Sequence, residues 1–267
     1  MQQTNSEIIE KLVKRFSYEP RESKRYSYPR QESISEIPTI IVDPHNEVLP
    51  FWYLKKSPPA TLVHIDKHAD TIDGALSLEY LEKKGIVDIV TYAKHFQNPG
   101  AFISAAIFYK LIDSVYWINL REDKVIKLGR WHNPDITELV TEINGKLFWD
   151  LNYLPRDPPA IEITLEEMVR TISKDKPLIL DIDLDAFECI EDKDYKLRKY
   201  KSLGLYTLLR KSRGISKRFE VFDKIKQLPK PSRITIARSE TPLAYTPKSK
   251  VDYLETKVLE ELKRIYS

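Results

Sequence analysis

A single cysteine, Cys189, stands in a chain of 267 residues. Neither an internal disulfide framework nor a thiolate metal cluster can form within one chain, so any metal chemistry falls to His, Asp and Glu, which suit hard divalent ions. Long apolar runs are missing too. The longest, Ala101 to Tyr109 and Ile112 to Leu120, are broken by polar residues and fall well short of the roughly 20 residues a membrane-spanning helix needs. Met1 to Glu10 carries Glu7 and Glu10 where a secretory signal would have a basic region and an apolar stretch, so a cytoplasmic protein with no membrane partner is expected. No internal repeat and no low-complexity tract is present. Nor is there a large excess of charge, with 43 basic against 40 acidic residues. The basic residues do cluster in Lys11 to Arg30, Lys196 to Arg218 and Lys224 to Lys230. Such runs read first as solvated faces; an acidic peptide or a nucleic acid could dock there, but no nucleic-acid partner is expected.

What is there is enough for a sizeable core: 42% of the residues are hydrophobic, and the length suits one large α/β domain. Thr4 to Phe16 has the spacing of an amphipathic helix, and Tyr18 to Glu36 is polar without apolar periodicity, which predicts a loop or partner-binding arm. Residues 1–36 are thus set apart as an N-terminal helix and polar arm, and 37–267 as the main domain. From Ile37 onward short apolar runs recur at Thr39 to Val42, Thr61 to Asp66, Val115 to Leu120, Leu178 to Asp183 and Ile234 to Ala237. Helical patterns separate several of them: Leu76 to Lys84, Ala101 to Ile112, Leu165 to Ser173, Lys217 to Gln227 and Val251 to Ile265. This alternation predicts βαβ units around a mainly parallel sheet, because a strand covered on both faces reads as a continuous apolar run. Thr164 with Glu167 predicts a capping box on the third helix. Lys124 to Arg156 reads as a hairpin or an irregular insertion.

Three segments rich in His and Asp follow or end apolar runs: Asp43-Pro-His45-Asn46-Glu47, His64-Ile-Asp66-Lys-His68-Ala-Asp70 and Leu180-Asp181-Ile-Asp183-Leu-Asp185. In open α/β sheets the ligand crevice lies at the carboxyl ends of the strands, so three distant segments can meet at one site. Alternate strand residues point the same way about 6.6 Å apart, which lets Asp66 and His68, or Asp181 and Asp183, present neighbouring ligands. Two metal ions roughly 3.5 to 4 Å apart could be bridged by such carboxylates. Taken singly, His45 reads as a loop histidine and Asp181-x-Asp183 as strand-end residues. Together, Asp66, Asp70, Asp181 and Asp183 would repel one another at a strand end unless cations were supplied, and no run of Lys or Arg lies beside them.

The motif Asp66-x-His68-x-Asp70, followed much later by Asp181-x-Asp183, resembles the metal-binding signatures of the ureohydrolases, the arginase and agmatinase superfamily, whose fold is shared with histone deacetylases. Val42 to Trp52, Leu62 to Asp70 and Ile179 to Phe187 are more similar still to a divergent arginase-like family that includes peptide arginases, which turn arginine side chains of ribosomally made peptides into ornithine. The resemblance implies a three-layer α/β/α fold and two manganese ions. It assigns one ion to His45, Asp66, Asp70 and Asp181 and the other to His68, Asp66, Asp181 and Asp183, with Asp66 and Asp181 bridging. It further implies His95, in a context similar to His-Gly-x-Pro, as a proton shuttle, and Glu240, after the last strand, as the group that binds the guanidinium. His64 and His132 acquire no role and read as structural.

The chain departs from enzymes of free arginine at one telling place. Their motif runs on into an asparagine that helps hold the substrate's α-carboxylate, whereas here Asp70 leads into Thr71-Ile-Asp73-Gly74. An internal residue of a peptide has no such carboxylate, so an arginine-containing peptide is the expected partner and substrate. The competing readings are a small-molecule ureohydrolase acting on free arginine or agmatine, a deacetylase-like metallohydrolase, and a non-catalytic peptide-binding protein with a structural metal. A haloacid-dehalogenase phosphatase or a lesion-bypass polymerase would account for the Asp-x-Asp pair but not for His45, Asp66 and His68.

Overall fold

The structure, a computed structural model, describes residues 21–22, 27–52, 58–71, 93, 100, 102–120, 124–128, 140–143, 146–149, 161–189, 214–241 and 244–267. Twelve strands are found among them. A short ribbon pairs β1 (Arg21–Glu22) with β2 (Ser27–Tyr28), and a hairpin pairs β8 (Val140–Ile143) with β9 (Lys146–Trp149). The other eight form one sheet: β3 (Arg30–Ile34), β4 (Ile37–Val42), β5 (Ala60–Ile65), β6 (Ile112–Asn119), β7 (Lys124–Leu128), β10 (Ile161–Ile163), β11 (Leu178–Asp183) and β12 (Arg233–Ala237). Their order across the sheet is β10, β7, β6, β5, β11, β12, β4, β3. The five central strands from β6 to β4 are mutually parallel, whereas β7 and β3 run antiparallel to their neighbours.

Sequence dictates this arrangement directly. Every residue of β5, β11 and β12 is buried, as expected for parallel strands covered on both faces. One face packs Val63, Ile65, Leu180, Ile182, Ile234 and Ile236 against helices α3 (Leu165–Thr171), α4 (Val221–Ile225) and α5 (Val251–Tyr266). The opposite face packs Ile40, Val42, Leu62 and Ile179 against α1 (Leu49–Trp52) and α2 (Phe102–Phe108). This is the three-layer, mainly parallel α/β architecture expected from the alternation of apolar runs.

The predicted capping box is present: Thr164 Oγ1 accepts from the Glu167 backbone, and the Glu167 carboxylate accepts from Thr164 N at 2.8 Å. The hairpin expected within Lys124 to Arg156 is also present, as β8 and β9. Two expectations change. Ala101 to Ile112 does not stay helical to its end, because Ile112 opens β6. The supposed arm contributes Arg30–Ile34 as an edge strand of the main sheet, with Ile34 buried and the more exposed residues alternating with half-buried ones; an edge strand buries one end only, which leaves a composition that reads as polar loop. The predicted helices at Thr4 to Phe16 and Leu76 to Lys84 lie outside the described residues. No helix among the described residues is long and apolar enough to cross a membrane.

Candidate metal centre

Three adjoining strands place a polar row inside the sheet. The register pairs Asp181 of β11 with His64 of β5 on one side and Thr235 of β12 on the other. Thr235 donates to Asp181 Oδ1 at 2.5 Å, and Trp52 Nε1 donates to the Thr235 hydroxyl at 3.2 Å. His64 Nδ1 lies 2.8 Å from Asp181 Oδ2, and His45 Nε2 lies 2.9 Å from the same oxygen. Both oxygens of Asp181 are therefore engaged. Burial would raise its carboxyl, but His45 and His64 outweigh burial and hold it well below the usual range.

One step further toward the carboxyl ends of the strands lies a second layer. His45 enters it from a short 3-10 turn, His45–Val48, that follows β4. Its Nδ1 is 3.2 Å from Asp66 Oδ2, 3.2 Å from Asp70 Oδ2 and 2.9 Å from Asp183 Oδ2. Yet neither His45 Nδ1 nor Asp66 Oδ2 makes a hydrogen bond, although both are fully enclosed. On the other side of Asp66, His68 Nδ1 stands 3.0 Å from Asp185 Oδ2 and 3.7 Å from Asp66 Oδ1. Among the described residues, ligand-type atoms fall within 4.8 Å of one another in three groups: His45, His64 and Asp181; His45, Asp66 and Asp70; and Asp66, His68 and Asp185. His45 belongs to the first two and Asp66 to the last two.

Local backbone geometry holds these side chains in place. Asp66 Oδ1 accepts from His68 N at 2.7 Å, and Asp183 Oδ1 accepts from Asp185 N at 2.8 Å, so each strand ends in a turn closed by its own carboxylate. The segment after β12 closes over the cluster: Ser239 donates to Asp183 Oδ2, Thr241 donates to Asp43 Oδ2, and the ring of Tyr245 lies 4.8 Å from that of His68. Asp70, Ser239 and Ala244 all have positive φ, at 49°, 49° and 53°. For Ser and Ala this left-handed conformation costs about 1 kcal/mol or more each, and such outliers gather at functional sites.

The electrostatics report a cluster short of positive charge. Burial, then the neighbouring carboxylates Asp185, Asp183 and Asp70, drive the Asp66 carboxyl well up. Burial and Asp185 push Asp183 to about 6. Burial works against protonation of His45, but Asp181 and Asp183 prevail and hold the imidazole well above its usual range. With Nε2–H given to Asp181, a neutral His45 would turn a bare nitrogen lone pair toward three carboxylates. A cation at that point is what the donor set calls for, and imidazole with carboxylates fits a divalent ion such as manganese.

Comparisons with known proteins are sparse. No family model matches the chain, and no curated protein is significantly similar in sequence. Among solved structures, a proclavaminate amidino hydrolase from Streptomyces clavuligerus is similar at 18% identity with a TM-score of 0.40, covering 85% of this chain and 63% of that one. The chain thus spans less than two thirds of that protein's length.

Five of the six ligand candidates, His45, Asp66, His68, Asp70 and Asp183, are brought into the outer layer, whereas Asp181 sits one layer deeper with His64 and Thr235. Glu240 lies in the segment that closes over the cluster, its backbone N–H donating to Asp43 Oδ1 at 3.1 Å while its carboxylate pairs with Arg238 at 3.2 Å and Lys248 at 3.6 Å. His95 and His132 lie outside the described residues. Sequence reasoning read His64 as structural and gave Asp185, the last acid of the third segment, no role. The period of two that singled out Asp66 with His68, and Asp181 with Asp183, reaches both if carried one step further, to 64 in the first motif and 185 in the second.

Proposed function

We propose that this protein is a hydrolase that holds two divalent metal ions, manganese foremost, and cleaves the guanidinium of arginine residues in a peptide, leaving ornithine and releasing urea. The observation that carries the reading is His45 Nδ1, enclosed without a hydrogen bond and facing Asp66, Asp70 and Asp183. His45, Asp66, Asp70 and Asp183 would hold one ion, and Asp66, His68 and Asp185 the other. When bound, the ions would lower the pKa of water from 15.7 towards about 7 and so provide a nucleophile for an electron-poor carbon near neutral pH.

The chain's own groups do the rest. Asp181, fixed by Thr235 and His64, accepts from His45 Nε2, which sets the tautomer that leaves Nδ1 free to ligate. His68, with its side chain 32% exposed, and the ring of Tyr245 beside it form the open side of the cluster. The flat face of Tyr245 can stack on a planar guanidinium arriving there. The stretch Thr71-Ile-Asp73-Gly74 lacks the asparagine that follows the motif in enzymes of free arginine, which supports a peptide substrate in place of the free amino acid. Hydrolysis then adds water across one C–N bond, the side-chain nitrogen leaving as the amine of ornithine and the carbon as urea.

The test is to incubate manganese-loaded protein with free arginine, agmatine and arginine-containing peptides, following urea together with peptide mass. Peptides should show the higher kcat/KM, and activity should vanish with a chelator and return with manganese. A free-arginine kcat/KM equal to or above that of the peptides would replace the peptide reading by a small-molecule one. Absence of urea from every substrate would remove the hydrolase reading altogether.

A further inference from the structure

A cavity of about 290 Å³ opens on the same edge of the sheet as the metal cluster, with Asn119, Leu165, Lys217, Arg218, Glu220 and Lys224 in its wall. Its floor touches the cluster's own scaffold. The carbonyl of Ile118, a further wall residue, accepts from Asp66 N at 3.3 Å, and Arg218 Nη1 donates to the carbonyl of Phe187, two residues past Asp185. A second cavity of about 290 Å³ adjoins it, shares Leu165 and Lys224, and adds Glu166 and Arg170. The depression is therefore elongated.

Its charge is predominantly positive, four cations against Glu220 and Glu166. Lys224 reaches Glu166 at 3.4 Å across exposed surface, a pair that contributes little and is readily exchanged for another anion. Lys217 is exposed and makes no ion pair among the described residues. Arg218 is held by the Phe187 carbonyl and Lys224 and Arg170 by Glu166, so the cations are distributed over two adjoining cavities, a layout that suits several carboxylates along an extended chain better than one compact anion.

We infer that this depression is a subsite for an acidic stretch of the peptide, gripping carboxylates that flank the arginine presented to the metal cluster. The inference rests on the peptide reading above. Binding energy gathered this far from the reacting carbon would serve to place the guanidinium and not merely to retain the peptide.

A fluorescein-labelled peptide with glutamates flanking a central lysine, which cannot release urea, tests the subsite apart from hydrolysis. Its affinity for the metal-loaded protein is compared with that of the same peptide bearing glutamines. The wild type should prefer the glutamate peptide by about tenfold or more. Lys217→Glu with Lys224→Glu should erase that preference, while Lys174→Glu with Lys263→Glu, the same change of net charge at exposed positions elsewhere, should keep it. Circular dichroism checks folding, and Lys217→Gln with Lys224→Gln replaces the reversal should it fail to fold. No preference in the wild type, or equal loss in both double variants, overturns the subsite. Urea release from arginine peptides without any glutamate preference would sink the subsite and leave the hydrolase standing; a preference without urea release from any substrate would do the opposite.

Discussion

His45 Nε2 lies 2.9 Å from Asp181 Oδ2, on the edge of the ring opposite the three carboxylates that surround Nδ1. A ligand histidine held by a carboxylate behind it is the usual arrangement at metal sites, and removing the second-row carboxylate typically costs 10- to 100-fold in affinity. Asp181→Asn should therefore weaken manganese binding by about that factor while two ions per chain still bind at saturation. Competition with a fluorescent chelator reads the affinity, and elemental analysis reads the stoichiometry. Loss of an ion would return Asp181 to the role of ligand that the sequence motif suggests.

The metal-free protein should lose stability as pH rises. Asp183 is raised from 3.8 to about 6, Asp66 is raised well above 3.8, and His45 is raised well above 6.5. Between each ordinary value and its raised one, the folded chain holds more protons than the unfolded chain, so the unfolding free energy falls with increasing pH. The contribution of Asp183 is complete below about 4 and gone above about 6, and that of His45 fades at higher pH. Thermal melts of chelator-treated protein should give a higher Tm near pH 5 than near pH 8. Manganese at saturation should reverse the order, since ligands must shed their protons to bind it. A metal-free Tm that rises from pH 5 to 8 would contradict the shared repulsion of Asp66 and Asp183.

Much of this was readable from the chain. Continuous apolar runs such as Leu178 to Asp183 and Thr61 to Asp66 announced buried parallel strands, and Thr164 with Glu167 announced a helix start, because those signals are local. Arg30–Ile34 was not readable, since its strand pairing comes from β4 and its exposed side chains match a loop's composition. The deeper position of Asp181 relative to Asp183 and Asp185 was equally hidden. Three acids alternate identically in sequence, and only the cross-strand register of Asp181 with His64 and Thr235 supplies partners for the first. The ion pair of Glu240 with Arg238 was hidden too, since proximity in sequence to the last strand says nothing of which partner takes its carboxylate.

Arg238 anchors the C-terminal helix to the site's edge. Its side chain is 2% exposed and pairs with Glu255, Asp252 and Glu240, while Arg30 of the edge strand reaches Glu255 at 2.7 Å. Breaking a buried pair by removing one partner costs about 3–5 kcal/mol, because the remaining charge stays buried. Arg238→Ala should destabilise by that order in urea melts at unchanged m. Adding Glu255→Ala should cost much less than its own single effect. Additive losses would show that Arg238 and Glu255 are not coupled.

Asp185 offers the test of which Asp-x-Asp pair would hold metal. Its Oδ2 lies 3.0 Å from His68 Nδ1, and the pair shares Asp66 with the group around His45. Asp185→Ala should leave the first group intact and empty the second, so elemental analysis of manganese-reconstituted protein should fall from two ions to one. Without metal the same change should do little harm to the fold: it deletes the carboxylate that raises Asp66 and Asp183, offsetting the lost contact with His68. The Tm of metal-free Asp185→Ala should therefore match or exceed that of metal-free wild type, while the gain in Tm on adding manganese should shrink. Two ions retained in Asp185→Ala, together with one lost in Asp181→Asn, would move the ligand pair back to Asp181 and Asp183.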